Sequence, residues 1–199
     1  MKLKLDLEEQ DYAYEGWAFM LFHTSVPNYI FADSLNGLYG YRLSRIDDMV
    51  LDGSSWPLYR FDDSLHRRLI VFLAERPADA ADAPWEAGDM LLVIKGENAA
   101  SEAEAIYDDF TSSKRCEEGD LLASEHRERL QDLLAGFTMA FVLDFDDSGL
   151  SRKAQKEQAL IRQHCDLILN YIEEQHLDLG DDIRRRIEQE KSFKALKNL

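Results

Sequence analysis

Two short stretches carry residue types that could do chemistry. The first is MAFVLDFDDSGL at 139–150, an apolar run that ends in Asp144, Asp146 and Ser148. An apolar strand that delivers D-x-D-x-S suits a phosphatase-like hydrolase. One aspartate would attack as nucleophile, the other would move the proton, and Mg²⁺ would sit beside them. The same letters fit a calcium loop, with Asp144, Asp146, Ser148 and Gly149 at its first, third, fifth and sixth positions. The second stretch is His23-Thr24-Ser25. An imidazole and a hydroxyl there could form a nucleophilic site if a carboxylate came close.

The surroundings of each stretch argue for simpler roles. Only 50 residues follow Gly149, and they read as helices rather than as the later strands a parallel hydrolase sheet needs. The calcium loop requires a bidentate Glu at its twelfth position, where this chain has Gln155, and a helix before it, where this chain has a strand. The expected role of Asp144 to Ser148 is therefore a strand end leading into a helix, with Asp147 or Ser148 accepting backbone N–H bonds. No G-x-S-x-G elbow, P-loop or G-x-G-x-x-G accompanies His23. The five histidines show no H-x-x-x-H spacing, and His164 and Cys165, adjacent on a helix, point about 100° apart. Catalytic, metal-binding and cofactor-binding residues are thus each expected to be none, and no cofactor is implied.

The elements that would position these residues follow from periodicity. Leu3, Leu5 and Leu7 alternate with charges as a half-buried strand, and 13–23 reads as a second, more buried one. Pro27 opens a helix over about 27–37 that Gly37 or Gly40 ends. Residues 42–52 are weakly strand-like. PLYRFDD and RRLIVFLAE make a hairpin around Asp62-Asp63-Ser64, and 89–95 is another buried strand. A proline-containing loop over 77–88 separates them. AASEAEAIYDDF is a short helix and 124–137 a clearer one, followed by the strand TMAFVLDFD. From 151 the chain lacks Pro and is rich in helix formers, with Ile161, Cys165, Ile168 and Ile172 at steps of four, three and four. Gly180-Asp181-Asp182 is read as the turn between two helices. The fold class predicted is α+β: a mainly antiparallel sheet with helices packed on one face, followed by a C-terminal helical hairpin.

Charge divides the chain at the same place. Residues 1–150 hold 13 Lys and Arg against 30 Asp and Glu, whereas 151–199 hold 10 against 9. Two domains are expected, an acidic α+β domain over 1–150 and a helical extension over 151–199 packed on it or on a partner. A net charge of −16 opposes nucleic-acid and anionic-membrane binding. Two cysteines make no disulfide framework, and MKLKLDLEEQ has no apolar signal region, so a cytoplasmic protein is expected.

Four stretches together resemble a bacterial family named IPExxxVDY after its motif: KLKLDLEEQDY, PNYIFADSLNGLYGYRLSRIDD, APWEAGDMLLVIKG and LLAGFTMAFVLDFDDSGLSRK. They cover about 1–155. Pro84 and Asp89 correspond to the name-giving motif, and Met90 stands where the family has tyrosine. The resemblance implies a small α+β domain and brings no activity with it.

The function expected is a non-catalytic interaction or adaptor module. The alternatives are a metal-dependent hydrolase using Asp144 and Asp146, and a small-ligand-binding domain between sheet and helices. The candidate partner-binding residues are Ile161, Ile168 and Ile172, with Trp56 and Trp85, which the sequence places in loops beside prolines. A protein partner or a symmetric homodimer is expected.

Overall fold

A computed structural model describes residues 16–63, 65–80, 85–113, 128, 133, 137–142 and 149–196. Side chains are described outside 113, 137–142 and 175–196. The expected strand over the first eight residues, Asp144 and Asp146 lie outside these ranges, as does nearly all of the helix over 124–137. Glu128 and Leu133 of that helix are helical, and Leu133 is buried.

The elements in order are β1 (Trp17–Thr24), α1 (Asn28–Tyr39), β2 (Ser44–Arg45), β3 (Met49–Leu51), β4 (Ser54–Trp56), β5 (Leu58–Asp63), β6 (Leu69–Glu75), β7 (Met90–Gly96), α2 (Ala99–Ser113), β8 (Phe137–Val142) and α3 (Arg152–Leu196). The chain divides into two compact units, Met1–Asp146 and Asp147–Leu199. The first is a six-stranded sheet in the order β2-β5-β6-β7-β1-β8, with every pairing antiparallel, plus the small ladder β3-β4. This is the α+β architecture the sequence predicts.

Alternation explains the core. Ala18, Met20 and Phe22 of β1, Tyr59 and Phe61 of β5, Leu69, Val71 and Leu73 of β6, and Met90, Leu92 and Ile94 of β7 share one face of the sheet. Phe31, Ala32 and Leu35 of α1 and Ala103, Ile106 and Phe110 of α2 close over them. Phe22 is the pivot, with its ring 5.0 Å from Phe31 and 5.3 Å from Phe110. The opposite face is apolar too, since Phe19, Leu21, Phe72, Leu91 and Val93 are all buried. That is why β6 (LIVFLAE) and the first five residues of β7 (MLLVI) read as nearly continuous apolar runs.

Two glycines fix the chain path. Gly40 takes the left-handed conformation at φ 65° and ends α1, as expected for a C-terminal glycine. Gly96 closes β7 at φ 150°, where a Cβ would lie 2.2 Å from the Arg68 carbonyl oxygen. Its N–H donates to the Gly16 carbonyl at 2.7 Å.

The C-terminal hairpin is corrected. α3 is one uninterrupted helix of 45 residues that runs through Gly180, about 68 Å at 1.5 Å per residue. Glycine inside a helix costs only about 1 kcal/mol against alanine, whereas proline costs about 3. With good helix formers on both sides and no proline, Gly180 is too weak a breaker to turn the chain.

Candidate functional site

The strongest polar arrangement in the first unit joins His23 to Asp89. Register places them together: Phe22 pairs with Met90, so the next residue of β1 meets the residue before β7. His23 Nδ1–H donates to Asp89 Oδ2 at 2.6 Å. The same oxygen accepts the Glu86 N–H at 2.9 Å. Asp89 is 3% exposed, and its carbonyl accepts the Arg76 N–H beyond the end of β6. The carboxylate is a knot joining the ends of β1 and β6 to the turn before β7. It is also the carboxylate that the sequence left unassigned beside His23. With the proton on Nδ1, Nε2 is the basic nitrogen. The neighbouring Thr24 hydroxyl accepts the Val26 N–H at 3.0 Å and so shapes the turn into α1.

A second network fastens the helices. Arg67 donates to the Tyr39 carbonyl at 2.9 Å and pairs with Glu102, which also accepts the Tyr41 hydroxyl at 2.8 Å. Tyr39 donates to Asp109 at 3.2 Å. The Arg67 guanidinium lies 5.3 Å from the centroid of the Tyr41 ring. Arg67 thus places a cation where the C-terminus of α1 carries its partial negative charge. Burial pushes both phenols far above the ordinary tyrosine value, and Asp109 beside Tyr39 and Glu102 beside Tyr41 push the same way. Arg76 plays a matching role in the loop before β7, where its guanidinium holds the carbonyls of Ala80 and Trp85.

The tryptophans are placed differently from the expectation. Trp56 ends a strand opposite Met49 rather than sitting in a loop. Trp56 and Trp85 are 2% and 3% exposed, and they meet edge to face at 6.3 Å. Each indole has already removed its large apolar area from water, so neither is a partner anchor. Among the described residues, Trp56 Nε1 has no hydrogen-bond acceptor. The helical candidates divide. Ile168 and Ile172 are fully buried along with Cys165, whereas Ile161 is half-buried. Ile168 and Ile172 therefore have no exposed area to offer a partner. Burial, and then the Asp166 charge, raise the Cys165 thiol well above its usual range and keep it unreactive.

Asp144, Asp146 and Cys116 fall outside the described residues. Among the described residues, no group of three or more His, Cys, Asp or Glu is placed to hold a metal ion. None of the described helices is long and apolar enough to cross a membrane.

Sequence reasoning missed Asp89 as the partner of His23. The available signal was the pairing of the apolar strands at 13–23 and 89–95. Antiparallel alignment of their centres puts the two polar ends side by side. Arg67 and Glu102 left no comparable signal, because they are 35 residues apart and meet only through the packing of α2 on the sheet.

No family model matches the chain, and no curated protein matches it.

Proposed function

We propose that this protein is a non-catalytic interaction module whose α3 helix is its protein-binding element. The observation that carries this reading is the helix itself: 45 residues without a break, making up nearly all of the second compact unit. Its charge supports the same reading. Residues 151–199 are close to neutral, whereas 1–150 carry 13 basic against 30 acidic residues. The polar side chains of the body support it from the other side. His23, Asp89, Arg67, Glu102 and Arg76 bond to one another or to backbone within the fold. Long helices with segregated charge are suited to recognising a second helix or an extended partner through register and charge.

The reading is tested with a photo-crosslinking amino acid in the full-length chain, placed at Gln189 in α3 or at the exposed Leu65 in the body. The expected result is a discrete protein adduct of defined mass from position 189 and none from position 65. Adducts from the body site alone would overturn it.

A further inference from the structure

The charges along α3 are sorted, and the sorting bears on what the helix meets. From Asp166 to Asp182 there are six carboxylates and no Lys or Arg. From Arg184 to Lys197 there are six basic residues and two glutamates. The change of sign falls at Ile183, which is also the centre of an apolar series: Leu179, Ile183 and Ile187, at steps of four. The backbone is helical throughout, so these three residues lie along one side, drifting by about 40° per step.

We infer that the distal half of α3 pairs antiparallel with the same segment of a second copy, about a twofold axis at Ile183. This deepens the reading of α3 as the interaction element and rests on it. Three candidate occupants can be compared by charge. The chain's own acidic body would attract the basic end and repel the acidic stretch before it. A second copy in parallel would set like charge beside like. An antiparallel copy satisfies both halves together. With the axis at Ile183, facing positions sum to 366. Ile183 faces itself and Leu179 faces Ile187, while position 182 and position 186 of the other copy, an Asp and an Arg, share one flank of the seam and lie level to within about 3 Å; positions 181 and 185, about 200° from Ile183, lie on the far side. The apolar seam is short, at three residues per copy, which places the contact at the small end of specific interfaces. Charge therefore sets the register and direction of pairing, and the association is sensitive to salt.

The test uses full-length protein and sedimentation. Wild-type chain is expected to dimerise reversibly at low ionic strength and to dissociate in 1 M salt, where the screening length falls to about 3 Å. Two charge variants decide the geometry: Arg186→Glu and Asp182→Arg. Each alone sets like charges across the axis and is expected to be monomeric. An equimolar mixture restores opposite charges at every facing pair and is expected to dimerise. Disulfide trapping in a Cys116→Ser background reads direction independently. Ile183→Cys is expected to trap a dimer by itself. Leu179→Cys and Ile187→Cys should trap only when mixed. A monomeric wild type at every concentration, a mixture that stays monomeric, or self-trapping by Leu179→Cys would each overturn the inference. A monomer that still gives a discrete adduct with another protein from position 189 would end the self-pairing while leaving α3 as the interaction element.

Discussion

The sheet body and the C-terminal helix spend their polar residues in opposite ways. In the body, side chains far apart in sequence find one another: His23 and Asp89, Tyr41 and Glu102, Tyr39 and Asp109. Each pair closes a long loop and joins separate elements, so the polar chemistry stabilises the fold. In α3 the charges are sorted along a single element by sign. Charges sorted that way contribute little within one helix, where ion pairs reach only three or four residues. Long-range pairing builds a scaffold, whereas charge laid out in order along a helix is available for recognition.

The largest test of this contrast is Gly96→Ala. The added methyl group would lie 2.2 Å from a backbone oxygen, and the change should destabilise the body by about 4 kcal/mol or more, as strain at a special backbone position does. All three tryptophans lie in the body, so their fluorescence reports it alone. The denaturation midpoint by fluorescence should fall steeply. Helical circular dichroism persisting beyond that midpoint would sharpen the division between the regions, and coincident transitions would break it.

Asp89→Ala comes next. It removes the acceptor shared by the His23 ring N–H and the Glu86 N–H and should cost about 3 kcal/mol. A double-mutant cycle with His23→Ala should return a coupling of about 1–2 kcal/mol. A cycle with no coupling would show that the pair does not hold the fold, and would bring an acid–base role for His23 back into consideration.

Smaller effects are expected at the tyrosines. Both phenols ionise at higher pH in the folded chain than the ordinary value of about 10. The folded state therefore keeps protons that the unfolded state releases above that pH. Their contribution to stability is complete below about pH 10 and is lost as pH rises further. Tyr39→Phe and Tyr41→Phe should each cost about 1 kcal/mol at neutral pH and flatten the loss of stability in base. Denaturant melts across pH 8 to 11 check both. An unchanged slope in the double variant would mean that the tyrosines are not what makes the body sensitive to base.

How much of this was legible in the sequence follows the range of the interactions. The hairpin of β5 and β6, the helix begun by Pro27 and ended by Gly40, and the buried strand before Gly96 are specified by neighbouring residues, and periodicity alone finds them. The meeting of Arg67 with Glu102 depends on how α2 lies on the sheet, which no local pattern encodes. Trp56 and Trp85 were misplaced for a related reason. Prolines beside them marked loops correctly in part, but where an indole points from a loop is decided by the surface it packs on. Asp144 and Asp146 show the opposite hazard. Their letters match two metal motifs, and their position after an apolar strand and before a long helix suits the end of the sheet domain.

The hairpin expected at Gly180 was an error of weight rather than of sign, and it gives the mildest test. Glycine does oppose the helix there, but a 45-residue helix rich in good helix formers outweighs one such position. In the continuous helix, Gly180→Ala relieves that opposition and should stabilise α3 by up to about 1 kcal/mol. Helical signal and the melting temperature of α3 should both rise. In a hairpin the glycine would sit at a left-handed turn position, and alanine there would destabilise by a similar amount. The sign of one methyl group's effect therefore distinguishes a single long helix from two short ones. It also decides whether Asp182 and Arg186 stand on one flank of a continuous helix, as pairing with a second copy requires.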